Sequence, residues 1–296
     1  MPKRSHNQEL PRRTIQELVA IYKFEPTTKD VIVEGSSDKC FIEWFLDETG
    51  IHNAVVYEIS GFQVDEATVS KWAVENNNRG RAIALAHEMA EHVGDPACLA
   101  CIVDADLDIV LKRKPACKIV LFTDYTCMEM YAFSSNVLGK YLKLNTRRFP
   151  KTGRMVLSEI TPALERLFAI RVANSTLKWN LSAVSWERSC SITETGVKID
   201  VADFVKRYLN KNGRTADLQR FMEEVSASEK KWTSDARNQV HGHDFVELLA
   251  WYIAQHKGFS RPAEDILERA LFTAAAEPQV LQQEPLFKTL LSRLEA

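Results

Sequence analysis

Two short apolar runs that end abruptly in acidic residues constrain the fold of this chain more than any other feature. Residues 31–33 (Val-Ile-Val) lead directly into Glu34, and residues 101–103 (Cys-Ile-Val) lead into Asp104 and Asp106. Short β-branched runs are typical of strands buried on both faces of a parallel sheet. The carboxyl ends of such strands form the rim where open α/β folds bind ligands. The sequence therefore predicts an α/β fold with negative charge at the rim of its sheet.

Strand and helix patterns alternate through the first half of the chain. Alternation of this length implies a mainly parallel sheet flanked by helices. We expect an amino-terminal extension over residues 1–29 and a sheet-containing domain over residues 30–145. The expected strands are residues 30–33, 54–59, 97–103 and 118–122, and the expected helices are residues 38–48, 81–93 and 128–141.

Helical periodicity dominates after about residue 145, so residues 146–296 are expected to form a mostly helical carboxyl-terminal domain. Residues 173–200 fit either a strand or a long loop. The expected helices are residues 156–171, 201–210, 215–226, 245–256, 263–276 and 286–294.

Composition narrows the class of protein. The chain has 296 residues, is 45% hydrophobic and carries a formal net charge of −2, so any nucleic-acid surface must be a local basic patch. It contains no apolar run of the length that a membrane span needs, and its first residues lack the apolar core of a signal peptide. The six scattered cysteines suit reduced thiols. These features predict a cytoplasmic globular protein.

The strand-end acids suit a divalent metal site. Mg²⁺ prefers carboxylate oxygens and keeps several waters, so a few convergent acids suffice. In an extended segment Asp104 and Asp106 would point to the same side and could face a cation pair together with Glu34. Gly35 leaves room for a phosphate or metal near the backbone. Asp38 could join them, or it could only complement the dipole of the helix that it begins.

The pattern Glu34-Gly35-x-x-Asp38 after one strand, followed by Asp104-x-Asp106 after a later strand, resembles the Toprim domain of topoisomerases, primases and OLD (overcoming lysogenisation defect) nucleases. The resemblance covers residues 30–145. Topoisomerase Toprims carry a glycine shortly after the second aspartate, where this chain has Leu107 and Asp108. This departure, together with the short chain, favours hydrolysis over strand passage.

Further motifs are more similar to the OLD-like group, and within it to the Toprim effectors of the PARIS anti-phage systems. Asp108, Asp124 and Glu129 follow the acidic pair, and Gly242-His243-Asp244 precedes an apolar helix. The resemblance implies that Glu34 acts as general base or metal ligand and that His243 stabilises charge on the scissile phosphate. It implies Mg²⁺ ligation by the acids Glu34, Asp38, Asp104, Asp106 and Glu129.

The same resemblance implies a Mg²⁺-dependent (or Mn²⁺-dependent) nuclease with two ions that cleaves RNA such as tRNA. It further implies a toxic, dimeric effector restrained by an ABC-type ATPase partner. Two alternatives stay open: a non-catalytic Toprim-fold module that docks to an ATPase, and a nuclease directed at DNA. A haloacid-dehalogenase phosphatase is disfavoured, because that family places its Asp-x-Asp motif on the first strand.

Three further patterns bear on function. Arg147, Arg148, Lys151 and Arg154 flank an aromatic residue and predict a phosphate-binding surface, although basic clusters are commonly only solvated. Asp244 is expected to cap the helix that follows it. The pair of cysteines at positions 98 and 101 has redox spacing but falls in a predicted buried strand, so core packing is the better interpretation.

Overall fold

The computed structural model describes residues 12–96, 98–113, 117–146 and 148–295, and it is an α/β fold. Its strands are β1 Arg13–Thr14, β2 Lys29–Val33, β3 Ala54–Glu58, β4 Phe62–Gln63, β5 Leu99–Val103, β6 Val120–Phe122, β7 Cys190–Thr193 and β8 Gly196–Ile199. Its helices are α1 Ile15–Phe24, α2 Ser36–Glu48, α3 Glu66–Lys71, α4 Asn78–Val93, α5 Asp108–Leu111, α6 Ser135–Asn145, α7 Gly153–Leu177, α8 Val201–Lys211, α9 Leu218–Glu229, α10 Gly242–Ala254, α11 Glu264–Ala275, α12 Pro278–Leu281 and α13 Pro285–Glu295. Within the described residues, no helix combines the length and the apolar character needed to cross a membrane.

The chain divides into two compact units that interleave along the sequence. The first unit contains the described residues of 1–104, 115–123 and 278–296, and the second contains those of 105–114 and 124–277. The sequence predicted a linear boundary near residue 145 instead. Periodicity along a chain reports local structure, so it carries no information on which distant segment joins which unit.

The first unit is built on a parallel sheet of order β3-β2-β5-β6. Every strand predicted for this sheet is confirmed, and each differs from its predicted limits by two residues or fewer. Because parallel crossovers are right-handed, α2 and α4 lie on opposite faces of the sheet. The α4 face packs Ile32, Leu99, Cys101 and Val103 against α1 and α4.

Helix α4 begins one turn earlier than residue 81, where the sequence predicted its start. Asn77 is the N-cap, and its side-chain oxygen accepts a 2.8 Å hydrogen bond from the Gly80 amide. A Cβ atom at Gly80 would lie 1.8 Å from the Glu75 carbonyl oxygen, so only glycine fits there. The extra turn matters because it carries Asn78 and Arg79 to the sheet.

The carboxyl-terminal helix α13 packs in the first unit, although the sequence assigned residues 286–294 to a separate helical domain. Phe287 contacts the Phe45 ring of α2 edge to face, with centroids 4.6 Å apart. The Arg293 guanidinium donates to the carbonyls of Leu99 at 2.9 Å and Lys118 at 2.7 Å. Arg293 thereby caps backbone groups at the amino ends of β5 and β6 and anchors the helix there.

The second unit is mainly helical and is organised around the 25-residue helix α7. The ambiguous stretch after residue 173 contains the last turn of α7 and an antiparallel β7–β8 hairpin. The helix predicted over residues 128–141 is instead a 3₁₀ turn, Met128–Ala132, followed by α6. Ser134 accepts a hydrogen bond from the Val137 amide and starts a new helix at that point.

Replacing Arg293 with alanine is expected to lower the free energy of unfolding by about 2 kcal/mol, because several carbonyls at the sheet end lose their donor. Urea denaturation of the two proteins measures the difference. Arg269→Ala is the matched control, since Arg269 and its partner Asp265 have side chains 70% and 71% exposed. Its effect should stay within about 0.5 kcal/mol. Equal effects of the two substitutions would contradict the anchoring role of Arg293.

Candidate functional site

Glu34 and Asp104 meet at one edge of the parallel sheet in the first unit. β2 and β5 are hydrogen-bonded neighbours in register Ile32↔Cys101, so their carboxyl ends lie side by side. The half-buried Glu34 carboxylate accepts a 2.8 Å hydrogen bond from the Asp104 amide through Oε1. The sequence-based expectation that these two acids lie close together is therefore confirmed within this unit.

The first turn of α4 holds the backbone of both acids. The Asn78 side-chain amide donates to the Glu34 carbonyl oxygen at 2.9 Å. Arg79 Nε donates to the Asp104 carbonyl oxygen at 2.8 Å, and its guanidinium lies 5.8 Å from the centre of the Phe122 ring. We call Asn78 and Arg79 the α4 clamp. Sequence reasoning took this segment for a polar connection; its only signal was a run of asparagines before a helix.

Asp38 takes a local role at the start of α2. Its Oδ2 atom accepts a 3.2 Å hydrogen bond from the backbone amide of Gly35, and Gly35 is the N-cap residue of the helix. This arrangement matches the interpretation of Asp38 as a helix-start residue. Gly35 itself has an extended backbone, and a Cβ atom there would meet only Asp38 Oδ2 at 3.8 Å, an ordinary contact. Space near the Gly35 backbone is thus compatible with approach of a ligand.

The argument that Asp104 and Asp106 share one side of an extended segment is wrong. β5 ends at Val103, and Asp106 has a φ angle of 48°, in the left-handed region. Aspartate tolerates this conformation better than most residues. The chain turns there, and α5 begins two residues later, so the alternation of a strand no longer relates the two side chains.

Thr126 connects the segments that carry Asp106, Glu129 and His243 in the second unit. The Asp106 amide donates to the Thr126 carbonyl at 2.6 Å. The buried Thr126 hydroxyl donates to the carbonyls of Arg237 and Val240, just before α10. Three segments that are distant in sequence are thereby joined through one side chain and its backbone.

Glu129 and His243, both predicted from the resemblance, lie together in this unit. Their closest charged atoms, Glu129 Oε1 and His243 Nδ1, are 4.0 Å apart. The His243 side chain is 80% exposed and that of Glu129 is 14% exposed, so the imidazole faces solvent while the carboxylate lies below it. A Cβ atom at Gly242 would lie 2.5 Å from Glu129 Oε2. Glycine at this position therefore allows the start of α10 to approach Glu129.

Asp244 does not cap α10, contrary to the prediction. The N-cap is His241, and Asp244 lies in the first turn, buried and paired with Arg171 of α7. The pair is bidentate, with Arg171 Nε and Nη2 at 2.7 and 2.6 Å from the two carboxylate oxygens. Although burial alone would raise it, the pKa of Asp244 is held below its usual value by the guanidinium. This ion pair fixes α10 against α7.

Asp124 is held by a tyrosine. The Tyr131 hydroxyl donates a 2.8 Å hydrogen bond to Asp124 Oδ2 and accepts a 3.1 Å hydrogen bond from the Asp124 amide. Tyr131 also contacts the ring of Tyr125, whose face is covered by the Arg237 guanidinium at 3.7 Å. Asp124 is thus an ordered acid next to an aromatic and cationic cluster.

The residues of the predicted basic patch differ in their exposure and in their ion pairing. Arg148 and Arg154 are exposed, whereas Lys151 forms an ion pair with Glu159 at 2.6 Å and is 24% exposed. Arg147 lies outside the described residues. Lys151 is therefore a partly neutralised member of the patch.

The cysteine pair behaves as predicted. Cys98 and Cys101 are buried free thiols in the core of the first unit, and burial raises the pKa of the Cys101 thiol. In the part of the chain that the structure describes, no group of three or more His, Cys, Asp or Glu side chains is arranged to hold a metal ion. Comparison with protein-family models gives no match, and no curated protein matches the sequence.

His241 is expected to make the protein sensitive to acid. Its Nδ1 atom is buried without a hydrogen-bond partner among the described residues, and burial beside Arg171 lowers its pKa from 6.5 to about 4. Below about pH 6.5 the imidazole of residue 241 is protonated in the unfolded chain but still neutral in the folded protein. The free energy of unfolding therefore falls as the pH is lowered from about 6.5 to about 4. The cost at pH 4 is of order 3 kcal/mol.

Urea denaturation of wild type and His241→Gln between pH 7 and pH 4 measures this effect, and the substitution should flatten the loss of stability. His52→Gln serves as control because the His52 side chain is 71% exposed. Parallel pH profiles of wild type and His241→Gln would contradict the assignment.

Proposed function

We propose that this protein is a metal-dependent nuclease with a Toprim-like fold that hydrolyses phosphodiester bonds, with RNA as the favoured substrate. The motif resemblance supplies the class of enzyme. The observation that carries the proposal is the pairing of Glu34 with Asp104 at the carboxyl ends of adjacent parallel strands. This is the edge of an α/β sheet at which ligands bind.

The donor chemistry of this edge fits a hard divalent cation. Glu34 and Asp104 supply carboxylate oxygens, and Mg²⁺ is commonly held by one or two carboxylates together with waters and substrate phosphates. A group of three acids is therefore not required. The proposal takes Asp38, Asp106 and Glu129 as further ligands from the resemblance. Two ions, Mg²⁺ or Mn²⁺, are expected. When bound, they would stabilise the negative charge that develops on the phosphoryl group during hydrolysis.

The chain's own residues take distinct roles in this proposal. The Glu34 carboxylate accepts a proton or orients the attacking water from a position that the Asp104 amide holds. Exposed His243, whose Nδ1 atom lies 4.0 Å from Glu129 Oε1, donates a hydrogen bond to the phosphate oxygens. The resemblance adds a defence role, in which a homodimeric toxic effector is restrained by an ABC-type ATPase.

Glu34→Gln and Asp104→Asn are each expected to reduce RNA cleavage by about 10²- to 10⁴-fold, because both remove carboxylate charge from the reacting edge. Cleavage of a labelled RNA in Mg²⁺ and in Mn²⁺ measures the loss. Glu58→Gln is the matched control, because Glu58 is a half-buried acid at the end of the neighbouring strand β3. Its activity should equal that of wild type.

Full activity of folded Glu34→Gln would exclude the mechanism. If wild type binds neither Mg²⁺ nor Mn²⁺ at millimolar concentration and cleaves no RNA, the non-catalytic binding module becomes the better explanation. Cleavage of DNA alone would retain the site but change the substrate.

The α4 clamp yields a second prediction. Arg79→Gln should lower cleavage by about tenfold and raise the metal concentration needed for half-maximal activity, because Asp104 loses a backbone support. Arg81→Gln is the control, since Arg81 Nε donates to Asn76 Oδ1, at 3.1 Å, in the segment just before the helix and away from Asp104 in sequence. A loss of activity without a change in metal dependence would argue against a positioning role for Arg79.

A further inference from the structure

A local concentration of positive charge lies in the second unit, around the junction of α6 and α7. Between Glu129 and Glu159 the sequence contains six basic residues and no acid, although the whole chain has a net charge of −2. Such a segment creates a positive field that the composition as a whole conceals.

Three of the five described basic residues are not neutralised by neighbouring acids. Lys140 pairs with Glu277 and Lys151 pairs with Glu159. Lys143, Arg148 and Arg154 are exposed and, among the described residues, make no ion pair. The three exposed cations lie on α6, on the loop after it and on the first turn of α7.

A cavity of about 320 Å³ lies beside Lys143, and Arg148 and Arg154 each follow or precede one of its lining residues in sequence. It is lined by Leu142, Lys143, Phe149, Lys151 and Thr152, together with two glycines. The volume is within the range of small-ligand sites in proteins. Its walls therefore combine apolar surface with one unpaired and one paired ammonium group.

The two helices that frame this cavity pack closely against each other. A Cβ atom at Gly153 would lie 2.3 Å from the Ser135 carbonyl oxygen and 2.4 Å from the Gly139 amide, so α6 and α7 approach as closely as glycine allows. Phe149 anchors the connecting loop through ring contacts with His256 at 4.7 Å and Phe259 at 5.1 Å. The cations beside Phe149 are thus presented from an ordered support.

We propose that the α6–α7 cleft, defined by Lys143, Arg148, Lys151 and Arg154, binds the phosphate backbone of a single-stranded nucleic acid outside the cleavage site. This proposal rests on the proposed nuclease function and names how the substrate strand is held. Several cations carried on separate elements suit a polymer with repeated charges, whereas one free phosphate would call for donors that converge on a point. The binding is electrostatic and independent of a divalent metal.

The test is fluorescence anisotropy of the full-length protein with a labelled single-stranded RNA of about 16 nucleotides. Measurements are made in EDTA over a series of salt concentrations. Lys143→Gln should reduce the slope of log affinity against log salt by about 0.7, and the triple Lys143→Gln/Arg148→Gln/Arg154→Gln protein by about 2. The triple substitution should weaken binding at low salt by about tenfold or more.

Lys23→Gln is the matched control, because Lys23 is an exposed lysine on α1 of the first unit. Thermal unfolding followed by circular dichroism checks that every variant is folded. Identical salt slopes for the triple variant and Lys23→Gln would overturn the proposal. If millimolar inorganic phosphate displaces the RNA from the wild-type protein but not from the variants, the proposal is also overturned, because the cleft would then bind free phosphate.

This outcome is separable from the proposed function. If RNA binding depends on Lys143 but no cleavage occurs in Mg²⁺, the proposal for the cleft is supported and the nuclease function is excluded. If the triple variant cleaves RNA and binds it with unchanged affinity, the nuclease function is supported and the role of the cleft in binding is excluded.

Discussion

The parallel pairing of β2 with β5 is the interaction on which the candidate site depends. It aligns the carboxyl ends of two buried strands, so that the Glu34 side chain reaches the Asp104 amide at 2.8 Å. An acid at the end of an isolated strand would be only a solvated charge. Strand pairing places the Glu34 carboxylate beside the backbone of Asp104 at one edge of the sheet.

Helix α4 gives this edge its rigidity. Its amino-terminal turn binds the carbonyls of both strand ends through Asn78 and Arg79, and Gly80 permits the tight approach that starts the helix there. These bonds go to the backbone carbonyls of Glu34 and Asp104 and hold both strand ends against α4. That arrangement is suited to holding side chains in place for a ligand.

Charge in this protein is segregated rather than scarce. The formal net charge of −2 hides acids concentrated at strand ends in the first unit and a basic stretch across α6 and α7 in the second. A phosphodiester substrate needs both: carboxylates that recruit metal at the reacting bond, and cations that hold the backbone elsewhere. The net charge alone indicated only that any nucleic-acid surface must be a local basic patch.

The sequence by itself determined the strands of the parallel sheet and most helices, because β-branched runs and helical periodicity are local properties of the chain. It also singled out Glu34 and Asp104. Only the tertiary structure decided that Asp106 adopts a left-handed backbone conformation, that Asp244 pairs with Arg171 instead of capping a helix, and that α13 belongs to the first unit. Each depends on a partner distant in sequence, and no local pattern specifies which distant group will be buried beside it.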